Sequence, residues 1–168
     1  MTDDDVRVRA DERRRLMGEL ELERNQLIRN VETCRLRDIT SPFIGAWSVL
    51  DIMEHVAKSD AAVAQALRDY RGGSATAVPE FGCDRTPEGD EPDLSQLWPM
   101  LERLRQERDA LLAQAAQFSD EEITATGSLP MNLVIAAKEH DKVHWHDIAA
   151  KLAGMSGARR QAGLTTES

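Results

Sequence analysis

Aromatic residues and long apolar runs are both scarce in this chain. Aromatics make up 4 % of the 168 residues, so the core must consist mainly of aliphatic side chains, which suit packed helices better than a β-sheet. No apolar run approaches the roughly 18–20 residues that a membrane span needs. The N-terminal segment, MTDDDVRVRADERRR, has no apolar stretch of the secretory type. We therefore expect an all-α, cytoplasmic protein with no membrane partner.

Cysteine is rare, and basic residues are outnumbered by acidic ones, with 21 Lys and Arg against 30 Asp and Glu. The formal net charge is −9, which argues against nucleic acid as a partner because a phosphate backbone attracts a basic face. The two cysteines, Cys34 and Cys83, do not form a metal-binding motif, and we expect both to be reduced. We therefore expect neither nucleic acid nor an anionic membrane surface to be the main partner.

Four segments carry a helical period of apolar residues, and no segment carries a convincing strand period. Four helices of this length in one small domain predict a four-helix bundle over residues 1–157, followed by a flexible tail at 158–168. Residues 71–92, rich in Gly, Pro and Asp, form a long connection between the second and third helices. The predicted helices span about Val6–Cys34, Ser48–Tyr70, Leu94–Phe118 and Met131–Met155.

Two local features stand out within these helices. Ser48, followed three residues later by Asp51, predicts an acidic capping box at the start of the second helix. The third helix has an apolar 3-4 repeat on which Arg108 is the one polar residue.

Three of the four histidines lie within residues 139–148. His140 and His144 fall on the apolar stripe of the fourth helix, and their i, i+4 spacing lets two imidazoles share one metal ion. His55, on the second helix, is the candidate third ligand, since facing helices of a bundle bring such residues together. The alternative is that these histidines are hydrogen-bonded core residues without a metal.

Other polar residues near these positions receive a different interpretation. His146 lies two residues beyond His144 and points away from that face, so we expect it at the surface or beside a ligand histidine, with a direct ligand role as the lesser alternative. Asp141 and Glu54 are predicted to be exposed charges, with a hydrogen bond to a ligand histidine as the lesser alternative.

Two motifs together resemble the DinB/YfiT-like superfamily of metal-dependent proteins. The first, W-S-x-x-D-x-x-x-H, comprises Trp47, Ser48, Asp51 and His55, and the second, H-x-x-x-H-x-x-x-I, comprises His140, His144 and Ile148. The resemblance implies an up-down-down-up bundle with the long crossover between the second and third helices. It also implies a zinc or nickel ion held by His55, His140 and His144, and a homodimer.

Relatives in that superfamily include thiol-dependent S-transferases, a mycothiol-dependent isomerase and hydrolases. Some thiol-dependent relatives carry Glu where this chain has His140, so the resemblance does not imply the isomerase activity itself.

Three neutral imidazoles leave a divalent ion with its full charge and an open coordination position. An ion of this kind can activate water or a low-molecular-weight thiol. We expect a thiol S-transferase or hydrolase; the alternative is a non-catalytic metal-binding stress-response module in which the ion supports the bundle.

Overall fold

The computed structural model of the protein describes residues 2–74, 76–81 and 91–164, with the backbone alone for 157–164. Over these ranges the fold is all-helical, with six α-helices, four of them long, and no β-strand. This confirms the predicted class and the four long helices. The helices are α1 (Asp3–Glu32), α2 (Leu36–Thr40), α3 (Val49–Arg71), α4 (Leu97–Ala115), α5 (Asp120–Thr124) and α6 (Leu129–Leu164), with a 3₁₀ turn at Leu94–Gln96 before α4.

The structure differs from the sequence prediction in two short helices and in the length of α6. Helix α5 begins at a capping box formed by Ser119 and Glu122, a local signal that the prediction overlooked. Helix α6 continues to Leu164, so part of the predicted tail is helical. Cys83 and most of the second half of the 71–92 connection lie outside the described residues. No helix in the described ranges combines the length and apolar character that crossing a bilayer requires.

The predicted capping box at the start of α3 is confirmed. The Ser48 hydroxyl accepts a hydrogen bond from the Asp51 backbone N–H at 3.1 Å, and the Asp51 carboxylate accepts one from the Ser48 N–H at 2.8 Å. These bonds satisfy N–H groups that have no partner within the helix. They also fix where α3 begins, and hence the face on which His55 lies about two turns later.

The hydrophobic core divides into two clusters, and all four long helices contribute to both. The first core cluster includes Leu27 and Val31 of α1, Ile52 and Val56 of α3, Leu104 of α4 and Ile148 of α6. The second core cluster includes Leu16 and Leu20 of α1, Val63 and Leu67 of α3, Leu111 of α4 and Leu133 and Ala137 of α6. The aliphatic composition of both clusters agrees with the scarcity of aromatic residues.

Four buried charges lie along the helices between the residues of the two clusters. They are Arg24 of α1, Asp60 of α3, Arg108 of α4 and Asp141 of α6, and none is more than 3 % exposed. We call them the ion-pair layer. Arg24 contacts Asp141 at 2.7 Å and Asp60 at 2.9 Å, and Arg108 contacts Asp60 at 2.8 Å and Asp141 at 3.0 Å. Each guanidinium therefore bridges both carboxylates, and the four formal charges cancel.

The two arginines also bind each other's helices in a reciprocal way. Arg24 on α1 donates to the carbonyl oxygen of Leu104 on α4, and Arg108 on α4 donates to that of Leu20 on α1 at 2.7 Å. In both cases the acceptor lies four residues before the opposite arginine. The layer thus ties α1 to α4 by backbone contacts as well as through the carboxylates.

The prediction that Asp141 is an exposed charge is wrong, because this residue is 0 % exposed. Asp141 lies four residues after Ala137 and three before His144, so it shares the apolar face of α6. A carboxylate is tolerated there because Arg24 and Arg108 neutralise it. Burial opposes its ionisation, but the two guanidiniums outweigh that effect and hold the pKa of Asp141 below its usual value. Glu54, by contrast, is half-buried and pairs with Lys58 at 3.0 Å.

Replacing Asp60 by Ala tests whether breaking the ion-pair layer lowers the free energy of unfolding. The change leaves two buried guanidiniums facing one carboxylate, so we expect the free energy of unfolding to fall by about 3–5 kcal/mol. Chemical denaturation of both proteins measures this difference. In the control, Arg103→Ala removes a half-exposed pair with Glu107 and is expected to cost less than about 1 kcal/mol. Equal losses in the two variants would contradict the prediction.

Candidate metal centre

The structure brings His55 of α3 together with His140 and His144 of α6. The Nε2 atom of His140 lies 2.9 Å from Nε2 of His55 and 3.0 Å from Nε2 of His144. One nitrogen of each ring lies within 4.8 Å of the other two. The prediction that the distant histidine meets the clustered pair is therefore confirmed, although 85 residues separate His55 from His140.

The convergence of three imidazole nitrogens fits a shared cation better than a set of hydrogen bonds. A ring nitrogen has either one lone pair or one N–H, so Nε2 of His140 cannot make good hydrogen bonds to both neighbours at once. Two nitrogens bound to a tetrahedral ion at 2.0–2.1 Å lie about 3.3 Å apart, a few tenths of an ångström beyond the observed separations. Imidazole donors suit zinc, nickel, copper and iron, so the donor type by itself does not select one metal.

Burial keeps the rings of His140 and His144 neutral. His140 and His144 are buried, and His55 is half-buried. Burial, with the adjacent His144 and His55 rings, lowers the pKa of His140 to about 3. Burial and the His55 ring lower the pKa of His144 to about 4. Both rings are therefore in the deprotonated form that binds metal at neutral pH.

Two aromatic side chains contact the triad, Trp47 from the segment before α3 and Phe81 from the connection after it. The Trp47 ring meets His55 edge-on with centroids 4.9 Å apart, and Phe81 stacks on His140 at 4.5 Å. Trp47 is held by a tight turn in which its carbonyl accepts from the Phe43 N–H at 2.7 Å and Gly45 takes a positive φ of 59°. The sequence prediction missed Phe81, whose one signal is being a lone aromatic in a Gly- and Pro-rich connection.

The second ring nitrogen of His140 is unusual. When Nε2 binds a metal, Nδ1 carries the proton and ordinarily donates to a carboxylate or carbonyl group. Nδ1 of His140 is buried and has no such partner among the described residues. The Asp141 carboxylate instead accepts from Arg24 at 2.7 and 3.0 Å. The alternative in which Asp141 hydrogen-bonds a ligand histidine therefore has no support in these contacts.

His146 lies apart from the triad, as the sequence predicts. Its side chain is exposed, and its ring stacks on Trp145 with centroids 3.7 Å apart. The indole N–H of Trp145 donates to Glu23 of α1. Trp145 therefore packs between α6 and α1, and the exposed His146 is a suitable control position outside the triad.

Comparisons of the chain with protein-family models, with curated proteins and with solved structures found no match. What is established about the site consequently comes from its own geometry. That geometry is a buried three-histidine cluster on two helices of an all-helical fold, close enough to hold one metal ion.

Proposed function

We propose that the protein is a DinB/YfiT-like metal-dependent enzyme that acts on a small molecule, of thiol S-transferase or hydrolase type. A divalent ion, zinc or nickel, would be held by His55, His140 and His144. The observation that carries the proposal is the convergence of the three ring nitrogens, with Nε2 separations of 2.9 and 3.0 Å.

The proposed up-down-down-up order of the long helices is supported by the two core clusters. Along α1 and α6 the contributing residues pass from the second core cluster to the first. Along α3 and α4 they pass from the first core cluster to the second. These opposite directions are those expected when α1 and α6 run one way and α3 and α4 run the other, with the long connection crossing between α3 and α4.

The donor set favours chemistry over a purely structural role for the ion. When bound, the ion would supply Lewis acidity and lower the pKa of a water or thiol at its open position. The three rings contribute no negative charge, so they leave that acidity undiminished. Burial of His140 and His144 excludes water from two ligands, and the Phe81 and Trp47 rings restrict how the histidines can turn.

Metal content tests the ligand set directly. We expect about one equivalent of zinc or nickel in protein purified without chelators, because one ion satisfies three converging nitrogens. His55→Ala and His144→Ala are each expected to lose it, whereas His146→Ala, which alters an exposed ring outside the triad, is expected to retain it. Elemental analysis measures the four proteins. Equal metal content in the wild-type protein and His144→Ala would refute the assignment.

Chelation separates a catalytic ion from a structural one. The two core clusters and the ion-pair layer consist of contacts among the side chains of the protein itself, so we expect removal of the ion to change the melting temperature only slightly. A non-catalytic module whose bundle depends on the ion would unfold on chelation. Thermal unfolding followed by circular dichroism, with and without a chelator, distinguishes the two; cooperative unfolding at room temperature on chelation would favour the alternative.

Turnover tests the proposed reaction class. We expect the metal-loaded protein to catalyse either the loss of free thiol onto an electrophilic acceptor or the hydrolysis of a small ester. His144→Ala is expected to abolish the rate, and His146→Ala to leave it unchanged. A thiol titration and an ester-cleavage assay measure both. Absence of turnover over a panel of both substrate types, in protein that holds its metal, would count against an enzymatic function. The homodimer and the thiol cofactor remain predictions of the resemblance, and the cytoplasmic location remains a prediction from the sequence.

A further inference from the structure

We propose that the ion-pair layer of Arg24, Asp60, Arg108 and Asp141 is a positioning device for the histidine triad. It sets the axial register and the rotation of α6 against α3, so that His140 and His144 face His55. The inference rests on the proposed metal centre and goes beyond it by assigning a role to four residues that do not contact the ion.

The layer lies close to the triad along both ligand-bearing helices. On α3, Asp60 follows His55 by five residues, about 7.5 Å of helix. On α6, Asp141 lies between His140 and His144 in the sequence. A shift of either helix by one residue, or a rotation that moved Asp141 from the core, would therefore displace a carboxylate of the layer together with a candidate ligand.

The contacts of the layer are directional. Arg24 forms a bidentate salt bridge with Asp141, in which Nε donates to Oδ2 at 2.7 Å and Nη2 donates to Oδ1 at 3.0 Å. Arg108 forms a bidentate salt bridge with Asp60 through the same atoms, Nε to Oδ2 at 2.8 Å and Nη2 to Oδ1 at 3.1 Å. Such paired bonds fix orientation as well as distance, whereas aliphatic contacts are non-directional and accommodate repacking. The aliphatic clusters on either side could tolerate small shifts that the layer does not.

Stability alone is a weak explanation for burying four charges. Well-packed apolar residues of similar volume are often as stable as a buried ion pair or more so, and fixing a register is the best-attested use of such groups. The triad also needs an external means of alignment, because Nδ1 of His140 has no orienting partner in the described part of the chain. The layer can supply that alignment through the helix backbones.

The experiment measures Co²⁺ binding by the full-length protein, using chelator competition for the affinity and visible absorption for the coordination geometry. Asp60→Asn and Asp141→Asn remove one charge each with little change of shape, and Asp60 lies farther from a ligand along the chain than Asp141. We expect each to weaken Co²⁺ binding by about 10- to 100-fold, the range for residues that orient metal ligands, and to alter the absorption spectrum.

Leu111→Ala is the matched control. Leu111 is fully buried in the second core cluster on α4, so its truncation destabilises the fold without removing a residue of the layer or of the triad. We expect it to lower the melting temperature while leaving the Co²⁺ affinity and spectrum unchanged. A comparable loss of affinity in Leu111→Ala would show that general destabilisation is the cause and would overturn the inference.

A fully apolar layer provides a second test that does not leave an unpaired buried charge. The variant combines Arg24→Met, Asp60→Leu, Arg108→Met and Asp141→Leu. Weakened Co²⁺ binding by this variant supports the inference. Wild-type affinity and a wild-type spectrum in this variant overturn it. The same result in both Asn variants would also overturn it. Failure of the wild-type protein to bind Co²⁺ would instead remove the proposed metal centre itself, so the two failures are distinguishable.

Discussion

The electrostatics of four buried charges constrain the whole fold. A lone carboxylate or guanidinium in a protein interior is strongly disfavoured, yet each long helix carries one such group between its residues of the two core clusters. The charges are compensated only when Arg24, Asp60, Arg108 and Asp141 meet in one layer. Of all the ways in which four amphipathic helices could pack, few bring these positions together. The aliphatic clusters supply the driving force for collapse, while the charged layer restricts which collapsed arrangement is acceptable.

The histidine triad depends on that arrangement, because its members come from two helices that pack together in the fold. The ion-pair layer and the histidine triad differ in their chemistry, and therefore in the roles that suit them. The layer is electrically neutral, with its principal donors and acceptors paired. The triad has three nitrogens converging on one point and a buried Nδ1 without a partner among the described residues. A satisfied network suits a structural role, and an unsatisfied one suits a binding site.

Much of the fold and of the candidate site could be predicted from local patterns. The period of apolar residues located four long helices, and the Ser48–Asp51 pair located the start of α3. The i, i+4 spacing placed His140 and His144 on one face. His55 was predicted to join them because it lies on the apolar side of α3, and facing helices of a bundle bring such residues together. The helix periods, the cap and the i, i+4 pair depend on residues within two turns of each other, where helix geometry is fixed. The short helices α2 and α5 were missed because single turns have too few residues for a periodic pattern.

The sequence by itself determined where the helices form, which faces are apolar and that two histidines share such a face. Only the tertiary structure decided which polar residues are buried. An aspartate is ordinarily a surface residue. Asp141 is buried because it forms a hydrogen bond with Arg24, which lies 117 residues away in the chain. Phe81 likewise meets His140 only through the path of a long connection. The free energy of burying a charge or a ring depends on partners from other helices, which no local pattern contains.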